Sequence, residues 1–209
     1  SDVYKRQGSN GKTTTKELIY SVLSSNFKTI CTPGNFNNHI GLPLSLFEIR
    51  HDTEFAVIEM GANNFGEIAF LTSLCEPDYG YITNFGKAHL EGFINIDGVI
   101  KAKTELYQWI IKNDKTLLIN GEDKNQKKFD NHKHIMFGNS ENFQFNFREK
   151  NNDFVNVLHD NYLFETKLYG TYNYSNVCAA IALGLEFGID KNQINQSLKN
   201  YQPNNNRSE

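Results

Sequence analysis

A glycine-rich loop that leads directly into a helix constrains this chain more than any other feature. The loop reads Gly8-Ser9-Asn10-Gly11-Lys12-Thr13-Thr14, and apolar residues at helical spacing follow it. Glycines let backbone N–H groups close around phosphate oxygens, and the helix N-terminus adds a partial positive charge. Lys12 can then reach the outer phosphates of a nucleotide, and the Thr13 hydroxyl can bind Mg²⁺. The loop therefore predicts a nucleotide-binding α/β fold, with a simple glycine turn before a helix as the alternative.

The residues before the loop do not fit the same pattern. A full phosphate-loop motif has a glycine where Arg6 stands, and it normally follows a buried apolar strand. Residues 1–7 instead contain three charged side chains. Either the loop is divergent, or residues 1–7 are a leader foreign to the domain, and we expect the second.

Strand and helix patterns alternate along the first half of the chain. Short apolar runs such as Phe55–Met60 and Thr116–Ile119 are separated by segments with helical spacing. This alternation predicts a mostly parallel sheet of the phosphate-loop type, flanked by helices. After about His132, alternating apolar and polar residues predict a small antiparallel β portion. Residues 8–202 would form this domain, and the polar residues 203–209 would begin a hinge.

Composition and charge exclude several classes of protein. Twenty-one Lys and Arg residues against 24 Asp and Glu residues give a net charge of -3, so a basic surface for nucleic acid is absent. No apolar run approaches the roughly 20 residues of a membrane-spanning helix. The three cysteines are odd in number and far apart, which argues against a disulfide framework or zinc ribbon and indicates a reducing cytoplasm.

Polar motifs follow the predicted strands. Glu59 ends one apolar run, His89 follows the next, and Asn37 and Asn38 lie in a polar loop between glycines. Because ligands bind at the carboxyl ends of parallel strands, we expect Thr13, Glu59 and His89 to converge at one edge. An imidazole is an unusual ligand for Mg²⁺, which prefers oxygen.

With these motifs, the sequence from Gly8 to Glu209 resembles the Mur ligase family, the ATP-dependent amide ligases of peptidoglycan precursor synthesis. The resemblance implies ATP on the phosphate loop and Mg²⁺ held by Thr13, Glu59 and His89. It also implies that Lys103 is carbamylated, which turns a cation into an anion beside a second Mg²⁺. Without the resemblance, Lys103 would be interpreted as a solvated helix lysine.

The resemblance extends to further nucleotide contacts. The segment Gly170–Ala180 is similar to the family segment near adenine, although Tyr172 stands where the family has histidine. The resemblance assigns Asn173 and Asn176 to ATP, and we expect the same of Asn37 and Asn38. Capping of the following helix is the alternative role for Asn173. Arg207 in the hinge would contact ATP phosphates.

The resemblance also implies an activity. The motifs around Glu59 and His89 look most like those of family members that join D-alanyl-D-alanine to UDP-N-acetylmuramoyl-tripeptide through an acyl phosphate. Lys12, Glu59, His89 and Lys103 would be the catalytic residues. The chain would be the central ATP-binding domain, inactive by itself, monomeric and located in the bacterial cytoplasm. Two alternatives stay open: another ligase of the superfamily, similar to folylpolyglutamate or cyanophycin synthetase, or a phosphate-loop module without ligase chemistry.

Overall fold

The computed structural model describes residues 11–85, 96–140, 143–149 and 153–203. Helices and strands alternate along the first part of the chain, and β-strands then predominate before two final helices. The helices are α1 (Lys12–Leu23), α2 (Gly41–Phe47), α3 (Glu67–Cys75), α4 (Ile96–Lys112), α5 (Lys124–Lys127), α6 (Tyr174–Glu186) and α7 (Lys191–Asn200). The strands are β1 (Thr29–Cys31), β2 (Phe55–Val57), β3 (Tyr79–Tyr81), β4 (Thr116–Asn120), β5 (His134–Gly138), β6 (Phe143–Gln144), β7 (Asn146–Glu149), β8 (Phe154–His159) and β9 (Tyr162–Tyr169).

The strands form two parallel sheets and one antiparallel sheet. β1 pairs with β2, and β3, β4, β5 and β6 pair in that order, all in parallel. β7, β8 and β9 form an antiparallel sheet. The parallel strands are short and mostly apolar. Four of the five residues of β4 are buried, as expected for a strand covered on both faces, whereas β1 and β2 are only partly buried. The predicted α/β class, with helices beside a parallel sheet and a small antiparallel portion, is confirmed.

The start of the antiparallel portion was predicted wrongly. β5 and β6 lie after His132 but pair in parallel, and the antiparallel sheet begins only at Asn146. The alternating aromatic residues from Phe143 to Phe147 suggested one continuous strand. In the structure the chain leaves the parallel sheet at Phe145, whose N–H still bonds the carbonyl of Gly138 at 3.0 Å. The pairing partners are distant in sequence, so the local pattern could not show the change of sheet.

Helix α6 forms the centre of the core and supports α1. Its residues from Val177 to Ala182 are almost completely buried. Gly184 lets α1 and α7 approach closely, because a Cβ there would lie 2.7 Å from Val22 and 2.9 Å from Ile194. Helix α1, which begins at Lys12, therefore packs against both α6 and α7. Within the described ranges, no helix combines the length and hydrophobicity needed to cross a bilayer.

Candidate active site

The first turn of α1 presents the described part of the glycine-rich loop. Gly11 is the residue before the helix and has a left-handed backbone conformation with φ of 111°. The first helical hydrogen bond joins the N–H of Thr15 to the carbonyl of Gly11 at 2.7 Å. The N–H groups of the first turn therefore have no acceptor within the helix, and such groups bind anions well. Lys12 and Thr13 are the first two residues of this turn.

Glu59 lies just beyond the end of β2 and is only 5% exposed. Its backbone N–H donates to the Thr32 hydroxyl at 2.9 Å, and its Oε1 accepts from the Asn37 amide at 2.8 Å. Its Oε2 is buried and has no hydrogen-bond partner among the described residues. A buried carboxylate oxygen without a partner is costly, so this oxygen is suited to a bound cation.

Lys16 is a buried cation close to this carboxylate. Its Nζ donates to the carbonyls of Thr32 and Gly34 at 2.8 and 2.9 Å, and lies 3.9 Å from Glu59 Oε2. The phosphate-loop motif did not predict a role for Lys16, because the motif ends at Thr14. Its position could have indicated the burial, since it stands three residues before Ile19 on the apolar face of α1.

Lys103, on α4, lines the same groove as Lys12 and Glu59. Its Nζ donates to the carbonyl of Asn84, beyond the end of β3, at 2.6 Å. Burial, and next the positive charge of Lys12, lower the pKa of Lys103 to about 8. Burial also lowers the pKa of Lys12, while the charge of Glu59 acts in the opposite direction.

The groove between β2 and β3 has a volume of about 500 Å³. The groove is lined by charged side chains of both signs: Lys12, Lys16 and Lys103, and Glu54, Glu59, Glu76 and Asp78. Lysine side chains at the carboxyl ends of parallel strands, next to a helix N-terminus, are suited to bind a polyphosphate group.

Asn173 and Asn176 bond to each other and to the protein. The Asn176 Nδ2 donates to Asn173 Oδ1 at 3.0 Å, and the Asn173 Nδ2 donates to the carbonyl of Tyr169 at 2.8 Å. The Thr15 hydroxyl donates to Asn176 Oδ1 at 2.9 Å. Asn173 precedes α6, but its side chain does not cap that helix. The two amides tie the end of β9 to the start of α1, while their predicted contacts with ATP stay predictions.

The predicted ATP ligands Asn37 and Asn38 also have local partners. Asn37 binds Glu59, and its carbonyl accepts from the Gly61 N–H at 2.7 Å. The Asn38 side chain accepts from the N–H groups of Ile40 and Gly41 at 3.0 and 2.9 Å, where α2 begins. Asn37 thus contributes to the site by holding the carboxylate.

Five predicted site residues lie outside the described residues: Gly8, Ser9, Asn10, His89 and Arg207. Their assigned roles stay predictions. Tyr172, which replaces the histidine of the resembled motif, has an exposed side chain.

The described residues fit a magnesium ion held partly by phosphate. The Glu59 carboxylate in the groove has a free oxygen, and the first turn of α1 offers the hydroxyl of Thr13, which does not itself line the groove; both are hard oxygen ligands of the kind that Mg²⁺ prefers. No cluster of three or more His, Cys, Asp or Glu side chains suited to a metal occurs within the described ranges. Mg²⁺ commonly binds through one or two carboxylates together with substrate phosphates and water, so a small donor set is compatible with it.

Two further residues, which the sequence motifs did not indicate, hold chain segments beside the groove. Glu105 on α4 accepts from the N–H groups of Gly66 and Ala69 at the start of α3, at 2.8 and 3.0 Å. Gln126 on α5 is fully buried and donates to the carbonyl of Ile82, just beyond β3, at 2.8 Å. Both contacts tie the chain segments beside the groove to α4 or α5.

Comparison with known proteins agrees with this geometry. The family described as Mur ligase middle domain matches residues 7–184. The chain is 36% identical over 187 residues to UDP-N-acetylmuramoyl-tripeptide–D-alanyl-D-alanine ligase of Bacillus subtilis (strain 168), covering 87% of this chain and 40% of that protein. MurF from Acinetobacter baumannii superimposes with a TM-score of 0.82 at 32% identity, covering 94% of this chain and 45% of that one. The MurF ligase from Thermotoga maritima, solved in complex with ADP, has a TM-score of 0.77 at 27% identity, with 94% and 47% covered.

The parallel sheets, the glycine-led helix and the charged groove define a phosphate-loop nucleotide-binding domain of the α/β class. Within that class, the chain belongs to the Mur ligase family and corresponds to its middle domain. It spans less than half the length of the three relatives above.

Proposed function

We propose that this chain is the ATP-binding centre of a ligase that joins D-alanyl-D-alanine to UDP-N-acetylmuramoyl-tripeptide. The observation that carries the proposal is the free, buried Glu59 Oε2, which lies in a groove with Lys12 and Lys103. The relatives named for this reaction supply the choice of substrates. The proposal includes a monomer in the bacterial cytoplasm, and the free Cys31, Cys75 and Cys178 are compatible with a reducing compartment.

In the proposed reaction, the γ-phosphoryl group of ATP passes to the terminal carboxylate of the tripeptide. The amine of D-alanyl-D-alanine then attacks the acyl phosphate, and phosphate leaves. Such transfers depend mainly on alignment and on neutralisation of charge. The first turn of α1 and the Lys12 ammonium would hold the phosphates, and Thr13 and Glu59 would hold Mg²⁺. When bound, Mg²⁺ would neutralise charge on the phosphate oxygens.

Lys103 has a different part in the proposal. Its lowered pKa makes a neutral amine available, and a neutral amine is the form that reacts with CO₂ to give a carbamate. The carbamate would place a negative charge close to Lys12. His89 and Arg207 would add a metal ligand and a phosphate contact.

The test is amide formation by the intact protein with ATP, Mg²⁺, UDP-N-acetylmuramoyl-tripeptide and D-alanyl-D-alanine. We expect a product that depends on both substrates, and loss of at least about two orders of magnitude in rate for Lys12→Ala and Glu59→Gln. Lys28→Ala is the matched control, because Lys28 pairs with Asp52 at an exposed site. Turnover with a folate and glutamate instead would favour a folylpolyglutamate synthetase-like enzyme. ATP binding without turnover on any substrate would favour a non-catalytic module.

A further inference from the structure

Lys16 is buried on the apolar face of α1, where a lysine is rare. Its side chain is only 4% exposed, and lysines are almost never fully buried unless they are paired. Taking an ammonium group out of water costs several kcal/mol in general, so its partners must compensate. The structure provides the carbonyls of Thr32 and Gly34 as hydrogen-bond acceptors and the Glu59 carboxylate as a nearby anion.

The two carbonyls belong to the segment after β1, and the same segment makes two hydrogen bonds to Glu59. Thr32 and Gly34 follow β1 and lead to Asn37, whose amide donates to Glu59 Oε1 at 2.8 Å. The Thr32 hydroxyl accepts from the Glu59 N–H at 2.9 Å. One ammonium group therefore fixes the segment that contacts both the backbone and the side chain of Glu59.

The distance between the two charges explains how Lys16 can act without blocking the carboxylate. Lys16 Nζ lies 3.9 Å from Glu59 Oε2, which is too long for a hydrogen bond. The attraction between opposite charges still operates at this distance in a buried setting. As a result Oε2 is held near a cation but keeps its lone pairs for another ligand.

We propose that Lys16 is a positioning residue that presents Glu59 Oε2 to a divalent cation. It acts through Glu59 and through the loop that carries Asn37, and it does not touch the nucleotide. The proposal rests on the proposed function for the identity of the ligand. It predicts that loss of the Lys16 charge weakens cation binding while nucleotide binding without the cation is retained.

The test uses the intact protein, with Mn²⁺ as the probe and ADP present at saturation. Free Mn²⁺ is followed by electron paramagnetic resonance, and ADP affinity without metal by calorimetry. We expect Lys16→Met to raise the Mn²⁺ Kd by about tenfold or more, as loss of an outer-shell partner does at other metal sites. ADP affinity without metal should change by less than about twofold, because Lys16 does not touch the nucleotide in this proposal. Lys28→Met, the same change at an exposed ion pair, should alter neither value.

A double variant separates action through Glu59 from general damage. In a Glu59→Gln background, Lys16→Met should cause little further loss of Mn²⁺ affinity, because the group it positions is already altered. An unchanged Mn²⁺ Kd in Lys16→Met, or the same loss in both backgrounds, would overturn the proposal. Near-ultraviolet circular dichroism checks that each variant is folded.

Hydrogen exchange tests, independently of metal binding, whether Lys16 holds the segment that contacts Glu59. The Glu59 N–H bonds the Thr32 hydroxyl and the Gly61 N–H bonds the Asn37 carbonyl, so both should exchange faster in Lys16→Met. If the unaltered protein bound neither ADP nor Mn²⁺, the proposed function would fail. Faster exchange at these two amides would still support the positioning role, and unchanged exchange would overturn it.

Discussion

The side chain of Asn176 lies directly against the backbone of Gly11. A Cβ built on Gly11 would stand 2.8 Å from Asn176 Oδ1, a separation that real Cβ atoms do not show. Gly11 also has φ of 111°, which side chains other than hydrogen rarely permit. The glycine of the phosphate loop is therefore required by its own conformation and by an amide 165 residues further along the chain.

We expect Gly11→Ala to lower the free energy of unfolding by about 2 to 3 kcal/mol, through backbone strain and the contact with Asn176 together. Urea unfolding of the variant measures the loss. Gly66→Ala is the matched control: Gly66 also precedes a helix with φ of 82°, but a Cβ there meets nothing within 4 Å. The loss of unfolding free energy in Gly66→Ala should therefore come from backbone strain alone.

The contribution of Asn176 follows from a double variant. Asn176→Ala removes the clashing oxygen, so Gly11→Ala should cost about 1 kcal/mol less in that background than alone. Asn176→Ala itself should be destabilising by about 2 kcal/mol, because Thr15 and Asn173 each lose a buried partner. Additive losses would show that the Asn176 contact adds nothing to the cost of Gly11→Ala.

The local sequence patterns were sufficient to predict most of the parallel strands. The runs at Phe55 and Thr116 are continuous and apolar, and both form parallel strands, although only the second is largely buried. The helix after the phosphate loop was predicted from apolar residues at helical spacing, and it runs from Lys12 to Leu23. The change of sheet at Phe145 was missed, because it depends on pairing with Gly138.

The candidate site shows the same dependence on contacts between distant segments. Lys12, Glu59 and Lys103 line one groove. The order of strands predicted that Thr13, Glu59 and His89 would converge, whereas only the family resemblance singled out Lys103. Lys16 was missed, because its importance depends on two carbonyls that lie 16 and 18 residues away. Local sequence shows which groups are available, whereas the contacts between distant segments determine which of them are buried together.

Gln126 provides a prediction about stability. It is fully buried, accepts from the Asn120 N–H at 2.8 Å and donates to the Ile82 carbonyl at 2.8 Å. Gln126→Leu would leave both backbone groups without a partner, so we expect a loss of about 3 kcal/mol. Gln108→Leu is the same change at an exposed position on α4 and should shift stability by less than about 0.5 kcal/mol. Equal urea midpoints for the two variants would contradict the assigned role.

Glu105 provides a prediction about α3. Its carboxylate accepts from the Gly66 and Ala69 N–H groups at the N-terminus of α3, which is remote in sequence. The negative charge therefore compensates the partial positive charge of that helix end. Glu105→Gln should cost about 1 kcal/mol and Glu105→Ala more, since the amide keeps one acceptor. Amide exchange at Ala69 should quicken in the same order. Exposed Glu48 is the control, and Glu48→Ala should leave that exchange unchanged.

Lys103 provides a prediction about pH. Burial and the charge of Lys12 lower its pKa to about 8 from an ordinary value of 10.5. The folded protein therefore releases this proton at lower pH than the unfolded chain does. The cost of burying the ammonium is fully present below pH 8 and disappears as the pH rises from about 8 to 10.5, so this group makes stability increase across that window.

The same pKa determines when Lys103 can form a carbamate. The neutral amine attacks CO₂, a nitrogen–carbon bond forms and one proton is released. Roughly a tenth of the amine is neutral one pH unit below the pKa, and this fraction rises steeply towards it. With ¹³C-labelled bicarbonate, we expect a carbamate signal by nuclear magnetic resonance that grows from pH 6.5 to 8.5 over roughly that range. Lys103→Met should abolish it, whereas Lys101→Met, an exposed lysine on the same helix, should keep it. A signal that survives Lys103→Met would assign the carbamate to another amine.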